Sequence, residues 1–507
     1  MNVTRPGSPI VAGLASFFPI LEIRDFQQRI RDWISHGGRV VSFFGSPAVN
    51  ASDVNLNVVL ANETNGSLLF LRSSRGRNDS YHSLAIEHPQ FQCFERECFE
   101  QFGVKPKGHP WLKPIRYPSS SPARPDSYPF YLLEGKEIHE VGVGPIHAGV
   151  IEPGHFRFMC YGETVHHLEI QLGYQHRGAE ALLLQKNPAC LAPLIETIAG
   201  DSSIAHTWAY CMAYEALCGV NVSWEIEVVR GIALELERVA MHLAGLAGMS
   251  SDIAFLPGGA TYGRLRTTVI NTSMRLCGSR FGRGWLRPGE VRFELTPETL
   301  KEFGDALRLL ETDLKPINDM FQSSKTVQHR LKKTGRILKR TALEMGFVGM
   351  VARSSGIPLD LRARFPGELY RRVPISKSVE ESGDCWARAM LRIREIGISL
   401  KWLTSALAVL GKFPNSSMDE NRLNSPWKIQ LEPARAASVA IAVVESWRGE
   451  VMHCLQTDSS GKISHYKVQD PSIRNWFAVA LAVRNNDISD FPICNKSFDL
   501  SYCGQDL

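Results

Sequence analysis

The sequence predicts a small N-terminal α+β domain followed by a large, mainly α-helical domain with short β elements, and three observations predict it. A chain of 507 residues is too long for one compact core and divides into two or three. Short β-rich runs lie early in the chain, whereas the long helical periodicities come later. Between them, IRYPSSSPARPDSYPF (115–130) carries prolines at 118, 122, 125 and 129, a composition that builds neither helix nor central strand. The expected division is therefore 1–117, a proline-rich linker at 118–138, and 139–507.

In the first part, RDFQQRIRDWI (24–34) has helical spacing. VNLNVVLA (54–61) and SLLFLRSS (67–74), separated by polar turn residues, predict a hairpin. ERECFEQFGVKPKGHPWLKPIR (95–116) reads as a charged helix leading into a rigid loop, because Gly103 and Gly108 permit tight turning and Pro110 fixes φ. A docking surface is an equal reading of that segment. After the linker, WEIEVVRGIALELERVAMHLAGLAG (224–248) places Ile226, Val229, Ala233, Leu236, Ala240, Leu243 and Ala247 on one stripe. Arg230, Glu235, Arg238 and His242 fall mainly elsewhere on that helix. Further helical runs are expected near 296–314, 335–347, 388–411 and 433–447, and the last stretch shows Gly/Pro/Asn punctuation with no long helix.

The bulk numbers restrict the function classes. A net charge of +5 over this length is mild, and no basic tract with interleaved aromatics predicts a nucleic-acid groove. The locally basic KTVQHRLKKTGRILKR (325–340) reads as a solvated helix face. No apolar run reaches the roughly 18 residues of a membrane span. VAGLASFFPILEI, with Arg5 before it and Pro19 within it, also fits a degenerate secretory signal poorly, since it lacks a small-residue cleavage site. The expectation is a soluble chain, held peripherally at the cytoplasmic face of an inner or plasma membrane by partners. Eleven cysteines occur without any C-x-x-C, so most read as small core hydrophobes rather than cluster or zinc ligands.

Three dense motifs carry candidate chemistry. GPIHAGVIEPGHFRFMCYGE (144–163) and LGYQHRGAE (172–180) bring His147, His155, His166, His167 and His176 close in sequence to Arg177 and Glu180. Their spacing matches no H-E-x-x-H or facial triad, so proton handling is the more natural reading than metal binding. IAGDSSIAHTWAYCMAYEALCG (198–219) places Asp201, Ser202 and Ser203 where they can cap a helix, and no G-x-S-x-G elbow supports a hydrolase. GMVARSSGIPLDLRARFPGELY (349–370) supplies Arg353, Asp360, Arg362 and Arg364, and ESWRGEVMHC (445–454) with the C-terminal 42 residues (466–507) would complete a cavity wall.

Together GPIH, EPGHFRF, GY-x-HRG-x-E, RSSG-x-x-x-DLR, E-x-x-RGE and RNN-x-x-x-DFP-x-CNKSF-x-LSY resemble the large subunit of membrane-associated, energy-converting NiFe-hydrogenases of the formate hydrogenlyase and hydrogenase-4 type. They also resemble the 49 kDa quinone-site subunit of respiratory complex I. ERE-x-x-E-x-x-G-x-x-P-x-GHPW resembles the complex I 30 kDa domain. The likeness covers roughly 20–507. In the hydrogenases it implies an early C-x-x-C with a following histidine and a late DP-C-x-x-C. Here His206, Asp470 and Pro471 are kept, but Ala199, Ser202, Ser472 and Asn475 stand at the thiolate positions. That set is unsuited to nickel, so no metal site is expected in this chain.

The resemblance further implies that His155 is a quinone headgroup-binding histidine, with no tyrosine counterpart near Asp201. It implies a partner iron-sulfur small subunit carrying a 4Fe-4S cluster, with Arg177 and Arg353 beside it. His176, Glu180 and Asp360 would handle protons, and Ser202, His206 and Ser472 would line the cavity. Membrane-embedded and antiporter-like subunits are the other implied partners. The function expected is electron transfer from the partner cluster to quinone or another acceptor, coupled to ion or proton movement. The alternative is a structural and coupling subunit without catalysis.

Overall fold

The computed structural model describes residues 3–118, 122–147, 149, 151–293, 295–411 and 427–507, so Ser119 to Ser121 of the expected linker lie outside the described residues. The chain begins with β1 (Ile10–Leu14), β2 (Ile20–Leu21) and α1 (Ile23–Ser35). β3 (Gly38–Pro47), β4 (Asp53–Asn62), β5 (Ser67–Gly76) and α2 (Gln92–Phe102) follow. One sheet runs in the order β2-β5-β4-β3. β4 and β5 form the expected antiparallel hairpin, with Val54 opposite Arg75 and Ala61 opposite Leu68. α2 stops at Gly103, whose φ of 79° is the left-handed conformation that a helix C-terminus favours.

Both faces of this sheet are buried. On one, Phe43, Leu56 and Val58 pack with Phe26 and Ile30 of α1 and Phe94 and Cys98 of α2. On the other, Phe44, Val59 and Phe70 meet a second sheet contributed by the C-terminal part of the chain.

After the linker come β6 (Ile138–Val143), β7 (His155–Tyr161) and β8 (Thr164–Gln171), an antiparallel sheet in the order β8-β7-β6. The helical body contains α3 (Ser203–Cys218), α4 (Trp224–Asp252), α5 (Leu256–Cys277), α6 (Pro297–Ser323) and α7 (Cys385–Leu410). The chain closes with β9 (Ser438–Glu445), β10 (Glu450–Thr457), β11 (Ile463–Gln469), α8 (Ser472–Ala482) and α9 (Phe491–Phe498). Its main sheet has the order β1-β9-β10-β11. The first strand of the chain thus pairs antiparallel with β9, Ile10 opposite Ala442, and ties the N-terminus into the C-terminal sheet.

Three expectations are corrected. The run at 433–447 is not a helix but the strand β9. It is covered on one side by α3 and on the other by the N-terminal sheet, and every residue of it is buried. A strand buried on both faces reads as continuous apolar sequence, and period alone does not separate it from a buried helix. The run at 335–347 is helical only at Lys339–Glu344, and the basic segment before it breaks after Leu331, where Lys333 has a φ of 68°. α4 has the expected stripe, and Ser223 caps it by accepting from the Ile226 N–H. Its polar residues off that stripe, Arg230, Glu235, Arg238 and His242, are all fully buried too.

Candidate functional site

The positions expected to line a cavity meet where α3, β10, β11 and α8 converge. His206, on the first turn of α3, shares its Nε2 with Asp470 Oδ2 at 3.0 Å and its Nδ1 with His453 Nε2 at 3.0 Å. His453, on β10, shares its Nδ1 with the Tyr466 hydroxyl of β11 at 2.8 Å. Burial pushes the Asp470 carboxyl up, but His206, Arg448 and Ser472 outweigh it and hold it below its ordinary range. An ionised carboxylate only accepts, so His206 Nε2–H donates to Asp470. Burial, with His206 beside it, holds the His453 ring well below the usual histidine range. A neutral His453 has one donor and one acceptor nitrogen, which it divides between His206 and Tyr466. Burial likewise raises the Tyr466 hydroxyl well above its usual value. The result is a fully buried row of four hydrogen-bonded groups.

Tyr466→Phe strips His453 Nδ1 of its partner inside this row. The expected loss of stability is about 1–3 kcal/mol, the cost of an unpaired buried polar group, read by urea denaturation. A change near zero would mean that the Tyr466 hydroxyl does not bond His453 there.

Around this row the residues at the expected thiolate positions already have partners. Ser202 Oγ accepts from Arg448 at 3.3 Å, and the same guanidinium clasps Asp201 through two contacts of 2.6 Å. Ser472 Oγ accepts from the Ser501 N–H at 3.0 Å. Asn475 bridges both polar groups of the Val348 backbone, at 3.1 and 3.2 Å. Ala199 offers no donor atom. Nickel and iron need soft thiolates, and this set is an alanine, two engaged hydroxyls and an engaged amide, so a nickel–iron centre does not fit. The hydroxyls of Asp201's neighbours do not cap α3 either. Its first N–H groups, at Ile204 and Ala205, donate instead to the buried carboxylate of Glu237 on α4.

The other expected site residues fall into separate places. Arg353 is the hub of a buried charge network: it donates to Glu395 at 2.8 Å and to Glu445 at 2.5 Å. Arg362 binds both Asp360 at 2.7 Å and Glu235 at 3.0 Å, and Glu395 accepts from His242 at 2.9 Å. Burial pushes the Asp360 carboxyl up, but Arg362 overrides it and brings it down to about 2.

A third group gathers around the C-terminus. His176 Nδ1 donates to the Asp506 carbonyl at 2.7 Å, and exposed Arg177 donates to the carbonyls of Thr197 and Ile198 at 2.8 and 3.0 Å. Glu180 pairs with Lys467 at 3.0 Å, which also bonds Glu97 of α2. His155 opens β7, half-buried, with its ring 5.2 Å from that of Phe130. His155 has no bond to the His206 row among the described residues. The five histidines of the early motif do not converge, and among the described residues no three metal-ligating side chains are placed to hold an ion.

The sequence pointed to His206 and Asp470 and to the arginines and acids of 353–364. It missed His453 and Tyr466, whose meeting depends on the antiparallel register of β10 and β11 and on α3 packing over it. It also passed over Arg448, although E-x-x-RGE contains it.

Residues 258–506 match the family described as respiratory-chain NADH dehydrogenase, 49 Kd subunit, and residues 39–130 match the 30 Kd subunit family. Among curated proteins, the carbon monoxide-induced hydrogenase of Rhodospirillum rubrum is 28% identical over 71% of this chain and 97% of its own length. Formate hydrogenlyase subunit 5 of Escherichia coli is 26% identical over 83% of this chain and 76% of its own. The NADH-ubiquinone oxidoreductase 49 kDa subunit of Cafeteria roenbergensis is 25% identical over 61% of this chain and 82% of its own. Among solved structures, a chain of the membrane-bound sulfane sulfur reductase, an archaeal respiratory membrane complex, superposes with a TM-score of 0.66. It covers 74% of this chain at 23% identity, a likeness of fold.

Proposed function

Because the chain fuses a complex I 30 kDa domain to a complex I 49 kDa domain, we propose that it is the peripheral large subunit of a membrane-associated redox complex working without a nickel–iron centre. In this reading it sits on the cytoplasmic face. It takes electrons from a 4Fe-4S cluster in a small partner subunit, delivers them to quinone or another acceptor, and couples this to ion or proton movement through membrane-embedded partners. Among the described residues no helix is long and apolar enough to cross a membrane, so attachment would run through those partners.

One observation supports the reading: a buried polar row stands beside the positions at which the resemblance places thiolates. Ala199, Ser202, Ser472 and Asn475 cannot bind nickel, yet the row Tyr466–His453–His206–Asp470 stays buried and intact. Buried polar rows of this kind contribute little net stability compared with an apolar core, so stability alone is a weak reason for one. A proton-relaying role fits it. His155, half-buried against Phe130, would bind the quinone headgroup; exposed Arg177 would face the partner cluster, with Arg353 acting on it from inside. His176, Glu180 and Asp360 would handle protons.

The test uses the purified complex. Elemental analysis is expected to find iron from the partner cluster and no nickel, and His155→Ala is expected to lower quinone reduction about tenfold or more. Equal rates for the two forms would overturn the quinone assignment. A second reading, a structural and coupling subunit without catalysis, is favoured by how fully the Ser202, Ser472 and Asn475 side chains are engaged. It predicts that no substitution in this chain changes electron flow while the complex stays assembled.

A further inference from the structure

A cavity of about 120 Å³ lies at the junction of the two halves of the chain, and none of the four groups of the His206 row lines it. α2 and the GHPW loop form one wall, and β8 and α8 the other. Its body is apolar and aromatic, with Trp111, Tyr128, Trp476 and Phe477 among its walls. An engineered apolar cavity of about 150 Å³ holds a benzene ring, so this one is of single-ring size.

The charged groups of the wall are almost all satisfied. Arg96 donates to the carbonyls of Lys113 and Pro114, at 2.8 and 2.9 Å. Both oxygens of Glu169 are taken, one by Lys113 at 2.6 Å and one by the Tyr131 N–H at 2.7 Å. Gln171 is engaged at both ends, by Tyr117 and Pro125 on one side and Tyr174 on the other.

Arg484 differs. It is half-buried on the turn after α8, and burial lowers its pKa with no carboxylate acting on it. Its terminal nitrogen donates to His167 Nδ1 at 3.3 Å, and its Nε–H is shut from solvent without an acceptor. A guanidinium cannot accept, so His167 Nδ1 must be the accepting nitrogen and the ring proton sits on Nε2. That Nε2–H is also buried and unpaired. Two N–H donors and one uncompensated positive charge therefore stand in the wall of an aromatic cavity. A third unpaired atom, Gln505 Oε1, shares this wall, and turning the amide over presents its N–H₂ instead.

We propose that this cavity binds a small carboxylate with a single-ring apolar body, its carboxylate against Arg484 and His167 and its ring among Trp111, Tyr128, Trp476 and Phe477. A carboxylate supplies the acceptors that both N–H groups lack and the charge that Arg484 lacks. The ligand would bridge the halves, because its walls come from both.

Titration calorimetry on the full chain with benzoate, and with benzamide as its uncharged isostere, tests this. Benzoate is expected to bind about tenfold or more tightly than benzamide, and Arg484→Gln is expected to bring the two within about threefold. Ala480→Phe, which fills the cavity from α8 and leaves Arg484 in place, is expected to abolish binding of both. Equal affinity for the two ligands, no binding of either, or benzoate binding that survives Ala480→Phe would each overturn the proposal. Should Ala480→Phe fail to fold, the Arg484→Gln comparison decides alone, since removing an uncompensated half-buried cation does not threaten the core.

Discussion

Substituting methionine for Arg353 is expected to destabilise the fold by about 3–5 kcal/mol at pH 7, the cost of orphaning buried charge. Arg353 is fully buried and serves two carboxylates at once, Glu395 and Glu445. Glu395 keeps His242 at 2.9 Å and Arg238 at 3.8 Å when Arg353 is removed. Glu445 keeps the Leu361 N–H at 3.2 Å and the more distant pull of Arg238, neither of them an ion pair. Burial already pushes the Glu445 carboxyl up while Arg353 opposes it, so losing Arg353 pushes it further.

The sign of the pH dependence follows. A carboxyl whose folded pKa is raised contributes stability below its unfolded value, and that contribution is lost as pH rises through the folded one. The deficit of Arg353→Met relative to the parent is therefore largest at neutral pH and shrinks toward pH 5. Urea denaturation at the two pH values measures it. Removing the orphan as well, in Arg353→Met with Glu445→Leu, is expected to recover most of the loss. A single-variant deficit below about 1 kcal/mol at pH 7 would mean that water or another cation reaches Glu445.

The sequence disclosed those parts of this molecule whose cause is local. α1 and α4 follow from apolar spacing, the start of α4 from Ser223, the end of α2 from Gly103, and the β4–β5 hairpin from two β-rich runs around a polar turn. Where the cause is distant, local reading failed. β9 looks like a helix because both of its faces are covered by elements far away in sequence, α3 on one side and β3 to β5 on the other. β1 pairs with a strand more than 400 residues later, which no window of sequence contains.

The polar residues of α4 were legible as lying off the apolar stripe, but a single helix does not show what they meet. Glu235 meets Arg362 and His242 meets Glu395, both from segments over 100 residues downstream. The site shows the same limit. His206 and Asp470 were legible through motif likeness, whereas His453 and Tyr466 depend on strand register. The cavity beside Arg484 is defined by which groups remain unpaired, and only packing decides that.

Glu97→Leu should produce the opposite pH signature to Arg353→Met. Glu97 lies on α2, fully buried, and pairs with Arg116 and with Lys467 of β11, so it joins the first part of the chain to the last sheet. Removing it orphans cations instead of anions. Lys467 retains Glu180 at 3.0 Å, while Arg116 retains the Gln505 carbonyl at 2.8 Å and the longer-range pull of Glu180 and Asp506. Burial already brings Lys467 down to about 8, against the pull of Glu180. A lysine whose folded pKa is depressed contributes stability at high pH, and that contribution is lost as pH falls through the folded value. The deficit of Glu97→Leu, about 3 kcal/mol near pH 7, should therefore narrow toward pH 9 as Lys467 sheds its proton.

The unfolding transition itself distinguishes what holds the halves together. The face of the N-terminal sheet bearing Phe44, Val59 and Phe70 shares one apolar core with Ile441, Val443 and Met452 of the C-terminal sheet. β1 crosses between them as well. The expectation is a single cooperative melt at lower temperature, because the shared core survives the lost ion pair. Two separated transitions would instead show that the proposed units 1–117 and 139–507 fold independently and that Glu97 supplies most of their coupling.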